Sequence, residues 1–227
     1  MILAVTGGKG GVGKSTVAYN LAAALDAVVV DADLGMADLP AARGPDLHDV
    51  LAGRADPVEA VREGTPVAIL PCGRSLAGAR AAEPTRLVSA LESVAAEYGR
   101  VVVDCPAGLG GDVGLALCVA EACVLVTTPA EPAVADAVRA RALARELDAG
   151  LSRIVLNRAG TAGTADALAR ELGAPVTVLP ESTAMADAQA RGEPVTEVAP
   201  ESTAAARIEA LAEGVRTTVR SATNPGG

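Results

Sequence analysis

Gly7-Gly8-Lys9-Gly10-Gly11-Val12-Gly13-Lys14-Ser15-Thr16 is the stretch whose reading decides the fold of this 227-residue chain. From Gly8 to Ser15 it fits G-x-x-x-x-G-K-[ST], the pattern of a phosphate-binding loop. Glycines let the backbone reach positive φ and approach a ligand closely. Successive backbone N–H groups then form an anion-binding nest, and a following helix aims its N-terminal dipole at the same charge. The loop also holds the only two lysines, Lys9 and Lys14; all other basic side chains are arginine.

The flanks agree with that reading. Ile2-Leu3-Ala4-Val5-Thr6 reads as a short buried strand, and Thr16 to Leu25 as an Ala-rich helix. Strand, glycine loop, helix is the context that turns the pattern into a phosphate site. The cofactor-binding set is then Gly8, Lys9, Gly10, Gly11, Val12, Gly13, Lys14, Ser15 and Thr16. Lys14 is placed to reach β- and γ-phosphates, and the Ser15 hydroxyl to ligate Mg²⁺.

Working outward, further apolar runs over 27–31, 67–71, 100–104, 122–127, 153–157 and 175–179 read as strands buried on both faces, because they lack polar alternation. Helical stretches separate them. The clearest runs from Pro84 to Tyr98, with Leu87, Leu91, Val94 and Tyr98 on one face and Gly99 just beyond its end. This alternation predicts an α/β fold, a doubly wound, mostly parallel sheet with helices on both faces. Asp33 and Asp104 each follow a buried apolar run, so both belong at carboxyl ends of strands, where open parallel sheets bind ligands. Asp104 is the candidate outer-sphere carboxylate for magnesium. For Asp31, capping the strand end and a role in the site both stay open.

Lys9 is not required by an ordinary phosphate loop. The form K-G-G-x-G-K-[ST], Lys9 to Ser15, resembles the deviant Walker A loop of the MinD/ParA family of ATPases. Val28 to Leu39 resembles that family's second strand and first switch, and Asp104-Cys105-Pro106-Ala107-Gly108 its D-x-P-A-G second switch. Val155-Leu156-Asn157-Arg158, Leu179-Pro180-Glu181 and Gly192-Glu193-Pro194-Val195 resemble its adenine-side segments, the last two favouring the MinD branch. The resemblance covers about Met1 to Val195. It implies a P-loop NTPase fold of the SIMIBI type and slow hydrolysis of Mg-ATP within an ATP-dependent homodimer, used for spatial positioning or regulation of a partner. It assigns Asp33 to orienting the attacking water, Lys9 to the nucleotide of the other subunit, and Asn157 with Pro180 to the flanks of adenine. The catalytic set is thus Lys9, Lys14 and Asp33, and the metal set Ser15 and Asp104. Asp38 stands where the family often has Asn.

Composition narrows the function. The length suits one domain, taken as 1–220 with a disordered tail over 221–227 ending Asn-Pro-Gly-Gly. No apolar run approaches the roughly 18 residues of a membrane span. The first strand begins at once, leaving no room for a signal peptide, so a cytoplasmic protein is expected. A net charge of −9 argues against DNA binding. Membrane-binding MinD proteins end in a basic amphipathic helix. Here Ile208, Leu211, Val215 and Val219 form a stripe near Arg207, Arg216 and Arg220, but without Phe, Trp or Lys and with Gly214, Glu209 and Glu213 interposed. That reads as a helix packed on the sheet, with any membrane association passing through a partner. Cys72, Cys105, Cys118 and Cys123 include no C-x-x-C and read as buried thiols. His48, the only histidine, sits in a short helix within 46–51 and reads as solvent-facing. Two other functions fit parts of the pattern. A ParA-type partitioning ATPase would bind DNA; a nucleotide-gated binding module would hold ATP without turnover.

Overall fold

The computed structural model describes residues 1–35, 39, 44–73, 75–160 and 163–223. Seven strands form one sheet: β1 Ile2–Thr6, β2 Val28–Asp31, β3 Ile69–Leu70, β4 Val101–Asp104, β5 Ala122–Thr127, β6 Gly150–Asn157 and β7 Val176–Leu179. Their order is β3-β2-β4-β1-β5-β6-β7 and every pairing between them is parallel. Each strand expected from the sequence is present. β1 and β5 match their expected bounds, β2, β4 and β7 each start one residue later, and β6 begins three residues earlier. β3 keeps two residues, and its edge is covered by an antiparallel bridge between Arg62 and Ile69.

The strands are apolar on both faces because helices cover both. Leu3, Val5, Val29, Val102, Val124 and Val155 pack on one side against α1 (Lys14–Leu25) and α10 (Thr203–Thr223). Their neighbours Ile2, Ala4, Val28, Val30, Val101 and Val103 face the other side, against α2 (Leu47–Leu51), α4 (Leu87–Tyr98) and α5 (Gly111–Val119). Leu125, Ile154 and Leu156 meet α6 (Glu131–Glu146) and α7 (Gly163–Leu172). Each fully buried Val or Leu contributes on the order of 1.5–3 kcal/mol, so aliphatic side chains alone suffice for this core. The amphipathic segment at 84–98 is a 3₁₀ turn, Pro84–Arg86, followed by α4; Leu87, Leu91 and Val94 are buried as its periodicity requires.

The C-terminal stripe behaves as a core face. Ile208, Leu211 and Val215 are fully buried against α1, β6 and β7. Gly214, a weak residue for a free helix, has a packing reason. A Cβ there would overlap the guanidinium of Arg153, which bonds Thr218 Oγ1 at 3.1 Å. Among the described residues no helix is long and apolar enough to cross a membrane. α10 runs to Thr223, and the Asn-Pro-Gly-Gly end lies outside the described residues.

β1 lies at the centre of the sheet, with β4 on one side and β5 on the other. The chain leaves β1 for the glycine loop and α1, then returns to the β2 side. This is the point in an open α/β sheet where strand order reverses and a crevice opens at the carboxyl ends.

Candidate functional site

The loop turns into α1 through Gly13, at φ 98° and ψ 25°. An L side chain there would be strained, and a Cβ would also overlap Asn157 Nδ2. Among the described residues no side chain caps α1, whereas α2, α3 (Leu76–Ala81) and α8 (Thr183–Arg191) are capped by Asp46, Ser75 and Ser182. The first-turn amides of α1 therefore keep the donor capacity and partial positive charge that attract an anion.

A cleft of about 730 Å³ opens at this end of the sheet. Gly10, Gly11, Gly13, Lys14, Ser15 and Thr16 form one wall; Asp33, Gly35 and Cys105-Pro106-Ala107 form the opposite one. Lys14 is 7% exposed and its ammonium donates to the Lys9 carbonyl at 3.2 Å, which leaves two N–H bonds for a ligand. Lys9 itself is exposed and is not among the residues lining the cleft. Gly8 lies against the backbone of Asp136 in α6, and Val12 buries its side chain in the core; neither lines the cleft.

The acidic residues divide. Asp31 and Asp104 are cross-strand neighbours at the ends of β2 and β4, and both are buried. Asp104 also pairs in register with Val5, one residue before the end of β1. Asp31 caps the loop after its strand: its carboxylate accepts from Asp33 N at 3.2 Å and Leu39 N at 3.3 Å. Asp33, partly exposed, stands on the cleft wall with Oδ1 accepting from Gly35 N at 3.2 Å. Asp38 lies outside the described residues.

A second cavity of about 300 Å³ continues from the first. It is lined by Asn157, Arg158, Leu179 and Pro180, together with Met185 and Ala186 of α8. Thr16, Arg158 and Gln189 border both. Long-range hydrogen bonds join this half to the loop. Asn157 Nδ2 donates to Val12 O at 2.9 Å, Arg158 Nη1 to Gly11 O at 3.2 Å, and Thr16 Oγ1 to Gln189 Oε1 at 3.0 Å. On the next turns of α1, Tyr19 Oη donates to Gly192 O at 2.6 Å and Asn20 Oδ1 accepts from Val195 N at 2.7 Å. Gly192-Glu193-Pro194-Val195 thus acts from behind, as a strap bound to α1, and lies outside both cavity linings. Burial, then the nearby Glu197 and Glu193, raise the Tyr19 phenol, which keeps it a donor. Sequence reasoning had Arg158 only as the last residue of an adenine-side segment and missed Gln189, whose one signal is that it lies three residues before the Gly192 segment.

Two expectations need correction. His48 is 2% exposed, with Nε2 3.1 Å from the Leu34 carbonyl, because α2 turns that face onto the loop after β2. Cys118 is exposed near the end of α5, whereas Cys72, Cys105 and Cys123 are buried. Burial and the adjacent Asp104 push the Cys105 thiol up strongly, which makes it a poor nucleophile despite its place in the cleft wall.

A glycine loop closing β1, an uncapped helix beginning at its lysine, and aspartates at the ends of β2 and β4 define the P-loop nucleotide-binding class. Residues 3–195 match the CobQ/CobB/MinD/ParA nucleotide-binding domain. The chain belongs to that family, and its likeness lies toward MinD. It is 34% identical over 208 residues to an uncharacterized ATP-binding protein of Methanocaldococcus jannaschii, covering 85% of this chain and 79% of that one. The cell division ATPase MinD of Pyrococcus furiosus superposes with a TM-score of 0.88 at 30% identity, over 96% of this chain and 98% of the other. The septum site-determining protein MinD of Pyrococcus horikoshii OT3, in complex with Mg-ADP, gives 0.87 at 30% identity over 96% of each.

Proposed function

We propose that this chain is a MinD-like ATPase, one domain over 1–220, that binds and slowly hydrolyses Mg-ATP and uses an ATP-dependent homodimer to position or regulate a partner. The carrying observation is that the glycine loop, Asp33 and Pro106-Ala107 face one another across a single cleft that continues into the cavity of Asn157 and Pro180. Phosphates fit the first part, where backbone N–H groups and Lys14 converge. A flat base fits the second, between Pro180 and the Asn157 side.

The donors fit a hard divalent cation. A hydroxyl, Ser15, is the second residue of α1, and a carboxylate, Asp104, closes β4, the strand beside the β1 that leads into the loop. Mg²⁺ bound there supplies charge neutralisation at the β- and γ-phosphate oxygens. The chain's own residues do the rest. Lys14 balances phosphate charge, and the loop amides hold the oxygens that gain charge as the γ-phosphoryl group leaves. Asp33 orients the attacking water from the opposite wall. Lys9, exposed and outside the cleft lining, reaches the nucleotide of a second copy, where an ammonium acts as an arginine finger does. The activator or cargo is a separate protein that reads the nucleotide state.

Light-scattering mass of Asp33→Ala, without nucleotide and with Mg-ATP, tests this reading. The expected result is a doubling only with ATP, abolished by adding Lys9→Ala. An unchanged mass at saturating ATP would overturn the dimer switch.

A further inference from the structure

Asp33 sits on a short loop, yet the loop is tied from behind by two side chains that never enter the cleft. His48 Nε2 lies 3.1 Å from the Leu34 carbonyl. Cys72 Sγ donates to the Asp33 carbonyl at 3.2 Å and lies 3.6 Å from the same His48 nitrogen. The Asp33 N–H is held by the Asp31 carboxylate. Asp33 is therefore fixed at its N–H, at its own carbonyl and at the following carbonyl.

The clamp has its own support. Asp46 caps α2 through Asp49 N at 3.1 Å, and Leu47 N donates to Pro71 O at 2.9 Å, which ties α2 to the strand end carrying Cys72. The imidazole fits only because Gly73 and Gly78 leave room. A Cβ at Gly73 would overlap His48 Nδ1, and one at Gly78 would lie 3.1 Å from it. His48 Nδ1 has no hydrogen-bond partner among the described residues. The proton thus belongs on Nε2, where the carbonyl can accept it. Cys72 stays a thiol, because burial and then Asp31, Asp46 and Asp33 push it up to about 12. Both groups are accordingly donors, and both donate to the backbone of the Asp33 loop.

We propose that His48 and Cys72 are positioning residues for hydrolysis: they clamp the carbonyls of Leu34 and Asp33 from the α2 side and so fix the Asp33 carboxylate where it orients water. This rests on the assignment of Asp33 made above. A polar pair of this kind, buried behind a loop, holds a catalytic group to the few tenths of an ångström that orientation demands.

The test is single-turnover hydrolysis and fluorescent-ATP binding on His48→Leu, His48→Gln and Asp33→Ala, alone and combined. His48→Leu removes the donor; Gln restores an N–H near the Nε2 position. The expected result for His48→Leu is a hydrolysis rate about tenfold lower, the scale of one lost hydrogen bond, with ATP affinity unchanged. His48→Gln should recover most of that loss. In the Asp33→Ala background, His48→Leu should change nothing further. An equal loss in both backgrounds, or no rescue by Gln at matched thermal stability, would overturn the clamp. Full hydrolysis by Asp33→Ala alone would instead overturn the assignment of Asp33. Should His48→Leu not fold, Cys72→Ala, which removes the second donor, carries the same comparison with Cys72→Ser as its rescue.

Discussion

The two halves of the cleft are built by different means. The phosphate half comes from almost one stretch of chain: Gly10, Gly11 and Gly13 to Thr16 line its wall around a buried Val12, and Gly11 and Gly13 hold the loop's left-handed turns. The base half is assembled from β6, β7 and α8, and is held to the loop by side chains more than 140 positions away in sequence, such as Asn157 on Val12 and Thr16 on Gln189. Local backbone geometry therefore sets phosphate binding. Long-range tertiary bonds set the space for a base. α1 serves both, with its first turn toward the phosphates and its next turns toward the strap at 192–195.

That contrast can be broken most directly at Lys14. Lys14→Ala should lower turnover by about 10²–10³-fold, the scale for removing one preorganised charge donor. Rapid-quench hydrolysis at saturating nucleotide checks it. Binding should weaken by the same factor for ATP and for bare tripolyphosphate, because Lys14 belongs to the phosphate half alone.

Gly13→Ala should damage both halves at once. The left-handed backbone costs an L residue about 1–2 kcal/mol, and the new Cβ displaces the Asn157 amide. A lowered urea midpoint should accompany weaker binding of both ATP and tripolyphosphate.

Asn20→Leu probes the base half from behind. It leaves the buried Val195 N–H without its acceptor, at a cost of about 1–3 kcal/mol. Chemical denaturation should show that loss. Calorimetry should show ATP binding weakened while tripolyphosphate binding is preserved. Equal weakening of both ligands would mean that the strap also shapes the glycine loop.

Thr16→Val should have the smallest effect, since its bond to Gln189 is exposed to water. A change of about 0.5–1.5 kcal/mol in ATP affinity, with tripolyphosphate affinity unmoved, is the expected result by the same titration.

The phosphate half was legible because its function resides in a contiguous backbone pattern, and glycine spacing reports backbone conformation directly. The seven strands were legible because burial on both faces leaves uninterrupted Val and Leu runs. The Asp33 clamp was not. His48 looked solvent-facing because a five-residue helix carries too little periodicity to show which side is buried. Cys118 looked buried because cysteine usually is, and only its place near the end of α5 exposes it. In the sequence Gly214 speaks only against a membrane-binding face; its packing reason, the Arg153 guanidinium lying across it, comes from a strand far away in the chain.

By itself, then, the sequence determined the α/β alternation, the anion-binding loop and the carboxyl-end placement of Asp33 and Asp104, because each depends on neighbours within a few residues. Only the tertiary structure decided which face of α2 is buried, that Gly192 to Val195 straps α1 without lining the cleft, and that Asn157, Arg158 and Gln189 meet the loop. Those depend on how strands order across the sheet and how helices cross it, which no short stretch of residues encodes.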